Sequence, residues 1–200
     1  MHKGGLVVSK KEMTKIWKDD KFLTVTLAQI LPQEILRYKN SEKDGYNCAV
    51  IGVEKKELKK TKGKKVSYNM VTEFPVDEEF VKNNEVGKNI DMKFMEGITN
   101  VDVVGYSKGK GYQGVMKIFH TKGGPKTHGS KFHRHVGSMG NRKPRRTLKG
   151  HPHAGHMGNA RVTLKRIDIL DVYNNDKEQI VVLKGSLPGC YNGLLKLIVN

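Results

Sequence analysis

HGSKFHRHVGSMGNRKPRRTLKGHPHAGHMGN (His128–Asn159) runs for thirty-two residues without one Asp or Glu. Its sizeable apolar side chains, Phe132, Val136, Met139, Leu148 and Met157, follow neither a helical nor a strand period, so the stretch has no face on which to build a core. The anomaly extends outward in both directions. Between Val103 and Ile167 lie fifteen of the chain's 37 Lys and Arg and none of its 20 acids, so this segment carries nearly all of the net charge of +17. Seven of the eight histidines and twelve of the 22 glycines fall there too. Fifteen like charges with few core residues do not collapse on themselves, because self-repulsion and chain entropy both oppose it. A polyanion is the expected partner, and without it most of the segment is expected to be mobile.

On either side the chain changes character. FLTVTLAQI (Phe22–Ile30), YNCAVIGV (Tyr46–Val53), IDMKF (Ile90–Phe94), VDVVG (Val101–Gly105), RVTLKRIDILDVY (Arg161–Tyr173), QIVVLKG (Gln179–Gly185) and LLKLIV (Leu194–Val199) are rich in β-branched residues and partly alternate. Asp44-Gly45, Asn174-Asn175-Asp176 and Pro188-Gly189 supply turns between them. Seven such segments predict a mainly β fold, a small barrel or sandwich. VDEEFVKNN (Val76–Asn84) reads as one short helix, and EKKELKKTKGKK (Glu54–Lys65) as a solvated loop or fraying hairpin. The basic stretch leaves one strand and returns to another. It is therefore an insertion: a discontinuous body, 1–104 and 161–200, less regular around 54–95, with a largely irregular Gly-rich extension, 105–160.

Two cysteines far apart, Cys48 and Cys190, predict no disulfide framework and point to a reducing compartment. No apolar run is long enough for a signal sequence or a membrane span, and neither a membrane nor a small-molecule substrate is expected as partner.

Several motifs resemble catalytic ones without their context. GKGYQG (Gly109–Gly114) matches a dinucleotide-binding glycine pattern, but such a site needs an acid about 20 residues on, and none occurs before Asp168. Histidine sets such as His128, His133 and His135, or His151, His153 and His156, lack the thiolates of structural zinc and sit among cations, so no metal is expected. A histidine-based nuclease would lack carboxylates for metal-assisted hydrolysis and a scaffold to position the rings. No enzyme is predicted.

Nucleic-acid binding accounts for every residue type present. Lys108, Lys110, Lys117, Lys122, Lys126, Lys131, Arg134, Arg142, Lys143, Arg145, Arg146, Lys149 and Arg161 would neutralise phosphates. His128, His133, His135, His151, His153 and His156 would donate to phosphate or ribose oxygens, and Tyr112 and Phe132 offer stacking rings. Glycines would let backbone and RNA approach closely. No helix-turn-helix, zinc-finger or basic-zipper pattern is present for a DNA major groove.

SKGKGYQG (Ser107–Gly114), GGPKTHGSKFHRHVGSMG (Gly123–Gly140), AGHMGNARVT (Ala154–Thr163) and VLKGSLPG (Val182–Gly189) resemble, in order and spacing, the signatures of the bacterial-type family of large-subunit ribosomal protein three. LVVSKKEMTKIW (Leu6–Trp17) is similar to the family's opening, except that Glu12 stands where Gly is usual, so that turn is expected to differ. The resemblance implies a β-barrel body, with the extension entering 23S-type rRNA toward the peptidyl transferase centre. It also implies a role early in subunit assembly, large-subunit proteins fourteen and nineteen as neighbours, and no cofactor beyond Mg²⁺ held by the RNA. Lys108, Lys110, Lys126, Lys131, His133, Arg134 and Lys149 would line the rRNA path, with GSMG-NRKPRR (Gly137–Arg146) as its tip. The glutamine methylated in some relatives is absent there; Asn141, Arg142 and Lys143 occupy the loop. A bacterial cytoplasm and an organelle matrix both accommodate such a protein. The alternative is an RNA-binding or RNA-chaperone protein outside the ribosome.

Overall fold

A computed structural model describes residues 4–57, 66–90, 92–95, 97–142, 145–174 and 178–199. The chain divides into two compact units, Met1–Tyr106 with Arg161–Asn200, and Ser107–Ala160.

The first unit is mainly β. Six strands, β1 (Gly4–Lys18), β2 (Lys21–Ile30), β6 (Asn100–Tyr106), β9 (Arg161–Asn174), β10 (Gln179–Lys184) and β11 (Leu194–Val199), join antiparallel in the order β1-β11-β6-β9-β10-β2. Because β2 also pairs with β1, the order closes on itself and leaves no free edge. A second antiparallel sheet has the order β3 (Gln33–Lys39), β4 (Cys48–Glu57), β5 (Val66–Pro75). The short helices α1 (Ser41–Asp44) and α2 (Glu78–Asn83) punctuate this part; Gly45, at φ +81°, ends α1 in a left-handed cap.

Two apolar clusters result. Leu6, Val8, Ala28, Val103, Leu183 and Leu197 fill the ring, while Val7, Ile35, Ile51, Val53 and Phe74 pack beside the second sheet. Consecutive residues of β1 thus serve different cores, as period-2 geometry requires of a strand covered on both faces. Gln33 ties β3 of the second sheet to β1 of the ring. Its buried side chain accepts from Val7 N–H at 2.9 Å and donates to the carbonyls of Val7 (3.3 Å) and Leu31 (3.2 Å).

Most strands expected from the sequence are present, as is the helix within 76–84. The hairpin alternative for the lysine run holds at its arms, where Glu57 pairs with Val66; residues 58–65 lie outside the described residues. One expectation fails. IDMKF is not a strand: Met92–Met95 form a 3₁₀ turn that buries Met92 and Met95 in the ring core, and just before it the chain touches β3 through a bridge between Asn89 and Glu34 and a bond from Ile90 N–H to the Gln33 carbonyl. Alternation over so few residues does not distinguish a strand from a turn with two inward side chains. The region around 54–95, expected to be less regular, contains the ten-residue β5. Glu12 lies in a β-bulge, between the pairs Lys10↔Ala28 and Met13↔Thr26, and its φ is not among the positive ones, so nothing there demands glycine.

Removing the Gln33 clamp strands two backbone groups of Val7. Gln33→Leu should lower stability by about 1–3 kcal/mol in denaturant titration; an unchanged midpoint would show that the clamp is dispensable.

Carboxylates held below their usual range make the stability pH-dependent: Asp171, lowered chiefly by the Tyr173 hydroxyl and then by the Val172 N–H, and two that face lysines. The Lys39 ammonium, 2.8 Å away, holds the Glu73 carboxyl below its usual range, helped by the Tyr46 hydroxyl. Glu34 is lowered chiefly by the Tyr68 hydroxyl and then by Lys55. Both glutamates bind protons more weakly folded than unfolded, so their contribution is complete above the unfolded value of about 4.3 and fades as pH falls through the lower folded values. Stability should therefore decline with acid below about pH 5, and Glu34→Gln with Glu73→Gln should flatten that decline in denaturant midpoints collected across the range.

Candidate nucleic-acid interface

The second unit begins where Ser107 meets Ala160. Ser107 N–H donates to the Ala160 carbonyl (2.9 Å), its carbonyl accepts from Asn159 N–H (3.2 Å), and its Oγ accepts from Ala160 N–H (3.2 Å). The two chain segments then run antiparallel through β7 (Gly111–Gln113) and β8 (Gly155–Met157), with Tyr112 opposite His156. Helix α3 (Val115–Phe119) follows, buries Val115, and stops at His120, whose φ is +55°.

Two glycines permit backbone crossings that any side chain would block. A Cβ on Gly158, at φ +77°, would lie 2.0 Å from the Lys108 carbonyl oxygen; one on Gly124 would lie 2.1 Å from that of Phe132. At the second crossing Gly124 N–H donates to the His133 carbonyl at 3.0 Å. The sequence reading assigned glycines to close approach of RNA; at these two positions the approaching surface is the chain itself.

Two of the candidate histidines also act within the unit. His133 Nδ1 donates to the Pro125 carbonyl at 2.7 Å, bracing the Gly124 crossing, and His151 Nε2 donates to the Ser138 carbonyl at 3.0 Å. A carbonyl only accepts, so each ring nitrogen so engaged must carry the proton. The free position of His133 is its Nε2. His151 Nδ1 is buried without a partner, and its ring lies 5.0 Å from that of His153, centroid to centroid. Among the described residues no group of three metal-ligating side chains gathers.

The cations are disposed quite differently. Lys108, Lys110, Lys117, Lys122, Lys126, Lys131, Arg134, Arg142, Arg145, Arg146 and Lys149 are all exposed, as are His128, His135, His156 and, at the start of β9, Arg161. Lys143 lies outside the described residues. Among those described, none of the eleven exposed bases of this unit enters an ion pair, and the unit contains no acid to offer one. Among the described residues, the ion pairs Lys39–Glu73, Lys55–Glu34 and Lys184–Asp168 belong to the first unit.

Aromatic rings stand among these charges. Phe132 is half exposed and stacks on His135, with centroids 5.3 Å apart and planes 29° apart. Tyr112, 69% exposed, is anchored only at its tip, where its hydroxyl donates to the Ala154 carbonyl at 3.2 Å, and it meets His156 edge-on. An exposed flat ring held at one end suits base stacking in a field of uncompensated cations.

Sequence reasoning missed Ser107, Gly124, Gly158 and the bracing role of His133 and His151. Their signal was the Ser-Lys-Gly-Lys-Gly and Gly-Gly-Pro spacing, whose meaning depends on which distant carbonyl lies opposite.

Residues 57–179 match the family model described as Ribosomal protein L3. The chain is 36% identical over 207 residues to the large ribosomal subunit protein uL3 of Petrotoga mobilis, covering 96% of this chain and 93% of that protein. It is 39% identical to the protein of the same name from Thermosipho africanus, covering 95% of each, and 35% identical to that of Chlamydia muridarum, covering 92% and 90%.

Gly158→Ala forces a left-handed alanine against the Lys108 carbonyl, costing at least about 1–2 kcal/mol. Limited proteolysis should then cut within 107–160 several-fold faster than in the parent; equal rates would mean that the crossing does not hold the unit together.

Proposed function

Because the chain belongs to the ribosomal protein L3 family, and is thus a structural protein of the large ribosomal subunit rather than an enzyme, we propose that Ser107–Ala160 is the element by which it binds large-subunit rRNA. The observation that carries this reading is the set of eleven exposed bases in a unit without a single acid. Such a surface gains free energy by releasing counterions from a phosphate backbone. The second support is spatial. At Gly137 and Gly155 no left-handed φ and no neighbour within 4 Å of a built Cβ accounts for the missing side chain, which leaves room for an external backbone.

In this reading the ring of six strands is the family's barrel body and 107–160 its extension. Lys108, Lys110, Lys126, Lys131, Arg134 and Lys149 contact phosphates, His133 offers its Nε2, and Tyr112 and Phe132 take unpaired bases. Gly137–Arg146 forms the tip toward the peptidyl transferase region, with the cations of the tip replacing the contacts of the absent glutamine. Binding organises rRNA early in assembly, beside large-subunit proteins fourteen and nineteen, and any Mg²⁺ nearby belongs to the RNA. The compartment is that of the large subunit, which in bacteria is the cytoplasm.

Contact with about 8 phosphates would give a slope near −7 for log affinity against log salt, taking about −0.9 per contact. Filter binding of the full chain to large-subunit rRNA measures it, and a nearly flat slope would defeat the electrostatic mechanism. Sedimentation of a lysate separates the ribosomal reading from that of a free RNA-binding or chaperone protein. Retention in the large-subunit peak after a high-salt wash is expected; recovery only in soluble fractions would favour the free protein.

A further inference from the structure

The hairpin of β1 and β2 outruns the rest of the ring. β11 last meets β1 at Ser9 and β10 last meets β2 at Val25, so beyond these residues the two strands pair with no third strand. The register sets Met13 opposite Thr26, Lys15 opposite Thr24 and Trp17 opposite Phe22, and cross-strand partners share a face. Trp17 and Phe22 meet edge to face with centroids 4.7 Å apart, yet remain 60% and 69% exposed. Aromatic surface displayed in this way at a strand end, with no cover from its own unit, marks an interaction site.

The charges around the pair indicate its occupant. The aromatic face of the hairpin carries Lys15 and Thr24 and no carboxylate, while Lys18 and Lys21, paired with each other beside the turn, lie on its opposite face. Of the acids nearby, Glu12 sits in the bulge, Asp19 and Asp20 form the turn itself, at φ +52° and +57°, and Asp171 lies near enough for the Lys18 charge to help lower its carboxyl. β1 and β6 both run antiparallel to β11, so their C-terminal ends lie at one end of the ring. That end also holds Tyr106 and Arg161, exposed and opposite each other in register.

We propose that Trp17 and Phe22 form a stacking platform for an unpaired nucleotide of RNA, with Lys15 on an adjoining phosphate. This rests on the reading of the protein as RNA-binding and adds a second contact, on the ring unit. Base stacking on exposed rings is tolerant of sequence, and a lysine beside the rings holds the backbone that presents the base.

Trp17 is the only tryptophan of the chain, so its emission reports on this site alone. The full-length protein is titrated at low salt with a fluorescein-labelled single-stranded oligouridylate. Anisotropy follows binding by the whole chain while tryptophan emission follows Trp17. Emission should be quenched along the same curve as the anisotropy rises. Trp17→Leu and Phe22→Leu should each weaken binding by about fivefold or more, and Trp17→Phe should restore most of it. A normal anisotropy curve with unchanged emission and unaffected variants would overturn the platform, leave the pair to a protein partner, and keep the basic unit as the RNA-binding element. Absence of any anisotropy change would instead defeat the RNA-binding reading itself.

Discussion

Strand β1 must be buried on both faces, and the first unit is built around that requirement. Leu6 and Val8 enter the ring core while Val7 between them enters the core beside the second sheet, all three fully buried. A wall shared by two cores has no slack. At Gly5 a Cβ would stand 2.2 Å from the Leu197 carbonyl oxygen and 2.4 Å from Phe74, so β1 and β11 approach as closely as backbone allows. β11 repeats the arrangement, giving Leu195 and Leu197 to one core and Leu194 and Ile198 to the edge of the other. The buried amide of Gln33 is the polar counterpart, because it answers Val7's backbone groups where no neighbouring strand does.

Within this frame charge has been sorted rather than balanced. The first unit pairs Glu34, Glu73 and Asp168 with lysines, whereas the described lysines and arginines of Ser107–Ala160 are exposed and in no ion pair. What orders the second unit is instead a small number of backbone contacts: the Ser107–Ala160 closure, two glycine crossings and two histidine braces. These contacts use backbone groups and two histidines but no lysine or arginine, so those basic side chains stay free for a polyanion.

The sequence was legible wherever packing is one-sided or uniform. β2, β6, β10 and β11 were visible because β-branched runs and alternation report burial directly. β1 was not, since only its first half is buried and cross-strand pairing with β2 carries the exposed rest. β3 was hidden by the polar residues in Gln33–Lys39, although Gln33 is among the most buried side chains. In the site, the cations and rings could be read as residue types, while His133 and His151 changed role once Pro125 and Ser138 were found opposite them.

Sequence alone determined that the chain is mainly β, that one long stretch is basic and free of acids, and that its motifs follow the ribosomal protein L3 pattern. Composition and residue order are local properties and survive without coordinates. Only the tertiary structure decided that six strands close on themselves, that β1 divides two cores, and which glycines and histidines hold the basic unit together. Each of those depends on what a residue meets far along the chain, and a hydrogen bond or a 2 Å steric limit exists only once both partners are in place.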